Sequence, residues 1–85
     1  GDIPSNITFT PNPSGWTNED VTVDVSTTET GYTLQTSKNE TSWSNETSQT
    51  FTENGTIYAR LTDGSNYGGT QTYNINNIDD SYCCL

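Results

Sequence analysis

Six consecutive residues, Val21-Thr-Val-Asp-Val-Ser26, alternate strictly between apolar and polar side chains. A period of two puts Val21, Val23 and Val25 on one face of an extended strand and Thr22, Asp24 and Ser26 on the other, a division no helix can reproduce. The same period recurs in Ile7/Phe9, Tyr32/Leu34, Ile57/Ala59/Leu61 and Tyr73/Ile75. No window of eleven residues spaces its apolar positions by three and four, and Ala59 is the only alanine, so helix has no support.

This patterning decides a question that composition leaves open. Hydrophobic residues make up 27% of the chain, and eleven acids face two bases, Lys38 and Arg60, for a formal net charge of −9. With a mean hydropathy of −0.81, that is the composition of a disordered chain. Disordered chains are poor in aromatic and β-branched residues, whereas here aromatics reach 11% and Thr is the commonest residue. The apolar residues are few but placed where strands need them.

Turn-forming clusters bound each alternating set: Pro11-Asn-Pro-Ser-Gly15, Glu29-Thr-Gly31, Lys38-Asn39, Glu53-Asn-Gly55 and Asp63-Gly-Ser-Asn66. Asn54-Gly55, between Phe51 and Ile57, predicts a tight two-residue hairpin. The spacing predicts about seven strands, at 6–10, 20–26, 31–37, 41–44, 49–52, 56–62 and 70–76. Short alternating strands without helical crossovers pack as an antiparallel β-sandwich. The predicted core is Ile7, Phe9, Val21, Val23, Val25, Tyr32, Leu34, Trp43, Phe51, Ile57, Ala59, Leu61, Tyr73 and Ile75. Trp16, just ahead of the valine strand, is expected to lid one end.

Eighty-five residues hold one small domain, assigned to residues 1–79, with a separate C-terminal tail at 80–85. The longest apolar run is Tyr82-Cys-Cys-Leu85, so neither a membrane span nor a signal peptide is expected. The negative charge repels nucleic acid and anionic lipid. Without a histidine to activate the abundant Ser and Thr, and with acids confined to turns and outward faces, the chain is expected not to be an enzyme.

The run Pro11-Asn-Pro-Ser-Gly-Trp-Thr-Asn-Glu-Asp-Val-Thr-Val23, then Gly31-Tyr-Thr-Leu34, Trp43-Ser44, Phe51-Thr-Glu-Asn-Gly-Thr-Ile-Tyr-Ala-Arg-Leu-Thr-Asp-Gly64 and Asn77-Ile-Asp79 resembles a bacterial immunoglobulin-like repeat over roughly residues 2–79. Such repeats occur in tandem in large surface and secreted proteins of Gram-positive bacteria. The resemblance implies an immunoglobulin-like sandwich of about seven strands, outside the cell, serving as a spacer, stalk or adhesive module beside neighbouring copies. Asp2-Ile-Pro4 and Asn77-Ile-Asp79 occupy the positions of its linkers, while Asp80-Ser-Tyr-Cys-Cys-Leu85 departs from the pattern. Two other classes stay open: a self-assembling filament subunit joined by strand pairing or intermolecular disulfides, and a carbohydrate-binding domain.

Candidate sites are few. Tyr58, which alternates with the inward set, and Tyr67, in the last turn, are the expected outward contacts for a host glycan or protein. No cofactor is expected, although Asp2, Asp79 and Asp80 could share a Ca²⁺ ion across a junction between copies, and Asn18-Glu-Asp20 and Asp63–Asn66 offer oxygens. Asn6, Asn39, Asn45 and Asn54 fit the glycan acceptor pattern, and the turn positions of Asn39, Asn45 and Asn54 suit it, although composition alone predicts about three such matches. Lys38 raises an intramolecular isopeptide bond, but its polar neighbours read as an exposed turn. Cys83 and Cys84 have no third cysteine, and a ring between adjacent cysteines is strained. Intermolecular disulfides, an unpaired tail and a cloning remnant are the readings left open.

Overall fold

In the computed structural model, residues 3–79 are described. Six strands form two antiparallel sheets and, among the described residues, there is no helix. The strands are β1 (Thr8–Asn12), β2 (Val21–Ser26), β3 (Thr33–Ser37), β4 (Ser48–Phe51), β5 (Gly55–Thr62) and β6 (Gln71–Ile75). One sheet has the order β1-β2-β4, the other β3-β5-β6. In the first, Val25 lies opposite Phe9, Val23 opposite Pro11 and Gln49, and Val21 opposite Phe51. In the second, Leu61 pairs with Leu34, Ala59 with Thr36 and Gln71, and Ile57 with Tyr73.

The two alternating ribs are the heart of the core. Val21, Val23, Ile57, Ala59 and Leu61 are fully buried, joined by Val25, Leu34, Phe51, Ile75 and Ile78. Ile3, Ile7, Phe9, Tyr32 and Tyr73 are partly buried against this cluster. Phe9 and Tyr73 stack across the open side of the sandwich, ring centroids 5.7 Å apart. The opposite side is closed by polar groups: buried Thr36 donates to the Glu46 carbonyl at 2.8 Å and accepts from Gln49 Nε2 at 2.8 Å. Every polar partner of Thr36 therefore comes from the segment leading into β4 or from β4 itself.

Four expectations are corrected. Residues 41–44 form no strand; only Ser44 bridges Thr36, through a reciprocal pair of backbone hydrogen bonds at 2.9 and 3.0 Å. The segment before it is tied instead by side chains: Asn39 Oδ1 accepts from the backbone N–H groups of Thr41 and Ser42, and Glu40 has a positive φ of 65°. Local side-chain bonds of this kind compete directly with a strand ladder.

Asn54-Gly55 is not a hairpin either. β4 and β5 belong to different sheets, so residues 52–54 carry the chain from one sheet to the other, and the positive-φ residues of the described chain are Glu40, Gly31 and Gly64. A type I′ turn would need positive φ at both Asn54 and Gly55. The Asn54 side chain is committed elsewhere, to Ile78.

Trp16 is 62% exposed and lids nothing. The backbone of its neighbour Thr17 pairs with the exit segment, its N–H donating to the Asn77 carbonyl at 2.9 Å and its carbonyl accepting from Asp79 N–H at 2.8 Å. That pairing delivers Ile78 to the core, and Ile78 fills the place expected for an indole. Trp43 is outside the buried core cluster too; it is half-buried, with its ring against Arg60.

Edge strands expose unpaired backbone groups that invite another chain. Pro11 lies within β1 and removes one donor from that edge. On β4, Lys38 Nζ donates to the carbonyl of Thr50, with its ammonium 4.7 Å from the centroid of the Phe51 ring. One of the two basic side chains of the molecule thus caps an edge carbonyl.

The connections fix the poles. Loops 13–20 and 52–54 and the exit segment 76–79 gather where β1 and β4 end and β5 begins. The opposite pole holds the links 27–32 and 63–70 and the first described residues: a Cβ placed on Gly68 would lie 2.6 Å from the Pro4 carbonyl oxygen. The body is elongated, 53 × 24 × 16 Å, with a radius of gyration of 14.1 Å against about 12 Å for a compact chain of this length.

Candidate functional site

The outward side of β5 carries the most distinctive side-chain arrangement. Ala59 and Leu61 are buried, so the alternation turns Tyr58 and Arg60 to the outer face of the β3-β5-β6 sheet. There the Arg60 guanidinium lies between two aromatic rings, its central carbon 4.0 Å from the centroid of Trp43 and 4.0 Å from that of Tyr67. Cation–π attraction of this geometry is worth about 0.5–1 kcal/mol at exposed sites and more where water is excluded.

Each partner is fixed by its own bonds. The Trp43 indole N–H donates to the Glu40 carbonyl at 3.1 Å. Tyr67 is held by the bridge to Thr62, and the Thr62 hydroxyl donates to the Asn66 carbonyl at 2.7 Å. Arg60 Nε donates to Gln35 Oε1 at 2.9 Å, and Gln35 Nε2 donates to Asn45 Oδ1 at 3.2 Å. The 40–45 segment, β5 and the 63–70 loop that follows it therefore converge on one guanidinium.

The loop that presents Tyr67 is built on a carboxylate. Asp63 Oδ1 accepts from the backbone N–H groups of Ser65 at 2.9 Å and Asn66 at 2.7 Å. Those bonds, that from Asn66 foremost, hold the Asp63 carboxyl below the ordinary aspartate value of 3.8. Gly64, with φ of 100°, supplies the left-handed backbone that the turn requires.

The expected contact residues are both on this side of the molecule. Tyr67 is 56% exposed and belongs to the stack. Tyr58 is half-buried, in register with Ser37 and Thr72. Two members of the arrangement, Trp43 and Arg60, were missed by sequence reasoning. Arg60 was open to the same alternation argument that selected Tyr58; Trp43 was not, because its position depends on a non-strand segment.

Among the described residues no group of three or more acidic, Cys or His side chains could hold a metal. Asp79 lies at the exit pole, its N–H bonded to Thr17, while the described chain begins at the other pole. Asp2, Asp80, Cys83 and Cys84 lie outside the described residues.

Of the acceptor asparagines, Asn6 Nδ2 donates to Thr28 Oγ1 at 2.8 Å, Asn39 organises its own turn, and Asn45 is exposed with its Oδ1 holding Gln35. Asn54 Nδ2, the atom a glycan would modify, donates to the Ile78 carbonyl at 2.9 Å. A cleft of about 260 Å³ beside it is lined by Lys38, Phe51, Glu53 and Asn54. Comparison with protein-family models, with curated proteins and with solved structures finds no match to this chain.

Proposed function

We propose that this chain is a non-enzymatic, extracellular immunoglobulin-like module, a spacer or stalk repeat of a bacterial surface protein whose neighbours are further copies of the same kind of domain. The observation that carries the reading is the placement of the two ends of the described chain at opposite poles of an elongated body. A domain entered at one pole and left at the other extends a string of domains by its own length. One whose ends lie side by side would add bulk instead.

The strand order supports the same reading. A constant-type immunoglobulin sandwich places its first, second, fifth and fourth strands in one sheet and its third, sixth and seventh in the other. The orders β1-β2-β4 and β3-β5-β6 match that arrangement with the fourth strand replaced by the side-chain-tied segment 38–47. The surface setting rests on the resemblance of Gly15-Trp-Thr-Asn18 and Asn54-Gly-Thr-Ile-Tyr-Ala-Arg-Leu-Thr-Asp63 to bacterial repeats, and fold by itself assigns no function.

Small-angle scattering from two copies joined at their natural junction tests this. The expected maximum dimension is close to twice the 53 Å long axis. A folded-back pair no longer than one domain would refute the spacer role.

A further inference from the structure

Arg60 is one of two basic side chains beside eleven acids, yet no carboxylate claims it among the described residues. Its Nε–H is spent on Gln35, and the rings of Trp43 and Tyr67 each lie 4.0 Å from its central carbon. The two terminal nitrogens, with four of the five N–H donors of a guanidinium, have no hydrogen-bond or ion-pair partner among the described residues. The aromatic walls and the Gln35–Asn45 relay fix the plane, so little freedom is left to lose when an acceptor arrives.

The surrounding face has a consistent chemistry. Outward register positions carry hydroxyl, phenol or amide groups: Gln35 on β3, Thr56 and Tyr58 on β5, Thr72 and Asn74 on β6. No acid occurs in these three strands, whereas the outer face of the other sheet has Asp24 at its centre. Acids enter only through the flanking segments, as Glu40 beside Trp43 and Asp63 in the loop that presents Tyr67.

We infer that the Trp43–Arg60–Tyr67 stack binds the carboxylate of an acidic sugar, a uronic or similar monosaccharide at the end of a glycan. The two carboxylate oxygens fit the planar pair of terminal nitrogens. The apolar face of the pyranose ring finds the exposed Tyr67 ring beside it, and its hydroxyls find the amides of Gln35 and Asn45. A neutral sugar would leave the fork unpaired, and a long polyanion would meet the net charge of −9. This goes beyond the spacer reading and stands without it, since it needs only the folded domain.

The test is a titration of the isotope-labelled chain with sodium glucuronate, followed at the Arg60 Nε–H and the Trp43 indole N–H, with glucose and sodium acetate as separate arms. Saturable shifts with glucuronate, and none with glucose or acetate over the same range, are expected. Arg60→Lys keeps the charge but removes the planar fork, and should abolish saturation while the dispersed amide spectrum of the core persists. No saturable response of the unaltered protein to glucuronate overturns the proposal without any variant. Equal responses to acetate would reduce the site to a bare carboxylate contact, equal responses to glucose would remove the role of charge, and undiminished binding by the Lys variant would remove Arg60; each overturns it.

Discussion

The side-chain amide of Asn54 holds both backbone polar groups of Ile78: Nδ2 donates to the Ile78 carbonyl at 2.9 Å, and Oδ1 accepts from the Ile78 N–H at 3.0 Å. One amide here does the work of a neighbouring strand, satisfying a donor and an acceptor that would otherwise reach a buried end of the core unpaired. It fastens the exit segment to the turn between the sheets. Asn54→Ala should therefore lower unfolding free energy by about 1–3 kcal/mol and speed hydrogen exchange at Ile78. Asn54→Asp keeps the acceptor but sets a carboxylate against the Ile78 carbonyl, so it should destabilise as well. Urea denaturation that finds the Asp variant as stable as the parent would show that the donor half of this clamp contributes nothing.

Gly68 is needed for space, not for its backbone angle. A Cβ there would stand 2.6 Å from the Pro4 carbonyl oxygen and 3.1 Å from Ile3 Cγ2, and the nearer atom is backbone that cannot swing aside. Gly68→Ala should cost about 1–3 kcal/mol and loosen residues 3–5 from the loop. Gly15, with nothing within 4 Å of the corresponding position, is the control. Gly15→Ala should be neutral or stabilise by up to about 1 kcal/mol through the unfolded chain. Thermal melts in which both variants behave alike would remove the steric argument.

Thr36 is buried and serves as donor and acceptor at once, to the Glu46 carbonyl and from Gln49 Nε2. Thr36→Val preserves shape and raises hydrophobicity, so transfer energy alone would make it favourable. It also strands the Glu46 carbonyl and deprives Gln49 of its shorter contact, leaving only Ser44 Oγ at 3.4 Å. Glu46 is exposed and Gln49 half-buried, so water recovers part of the two lost hydrogen bonds, but their net loss still outweighs the methyl and a decrease of about 1 kcal/mol is expected. Equal denaturation midpoints for the two proteins would mean that the polar side of this sandwich is dispensable.

What could be read from the chain divides along a physical line. The ribs Val21/Val23/Val25 and Ile57/Ala59/Leu61 were legible because burial of a strand face leaves a period of two in the residues themselves. The Asn54-Gly55 pair misled because turn propensity is local, whereas the sheet to which β4 and β5 belong is decided by pairing with β2 and β3. Ile78 looked like linker because a single apolar residue has no period; only the distant Thr17 and Asn54 make it core. On the outer face, Tyr58 and Tyr67 could be singled out one at a time. The stack around Arg60 could not, since it joins segments that propensity treats separately.

Protonation of Asp63 supplies a test by pH. Its carboxyl is held below the ordinary 3.8 because the charged form accepts the N–H groups of Asn66 and Ser65. A depressed value means that the folded state binds the proton less readily than the unfolded one. The contribution of this turn is thus complete above 3.8 and is lost as pH falls through the lower folded value. The amide resonances of Ser65 and Asn66 should accordingly titrate with a midpoint below 3.8 and carry the Tyr67 ring signals with them, since the turn positions that ring against Arg60. In Asp63→Asn the side-chain oxygen still accepts, but this titration should vanish. A midpoint at or above 3.8 in the parent chain would mean that the carboxylate does not order the loop.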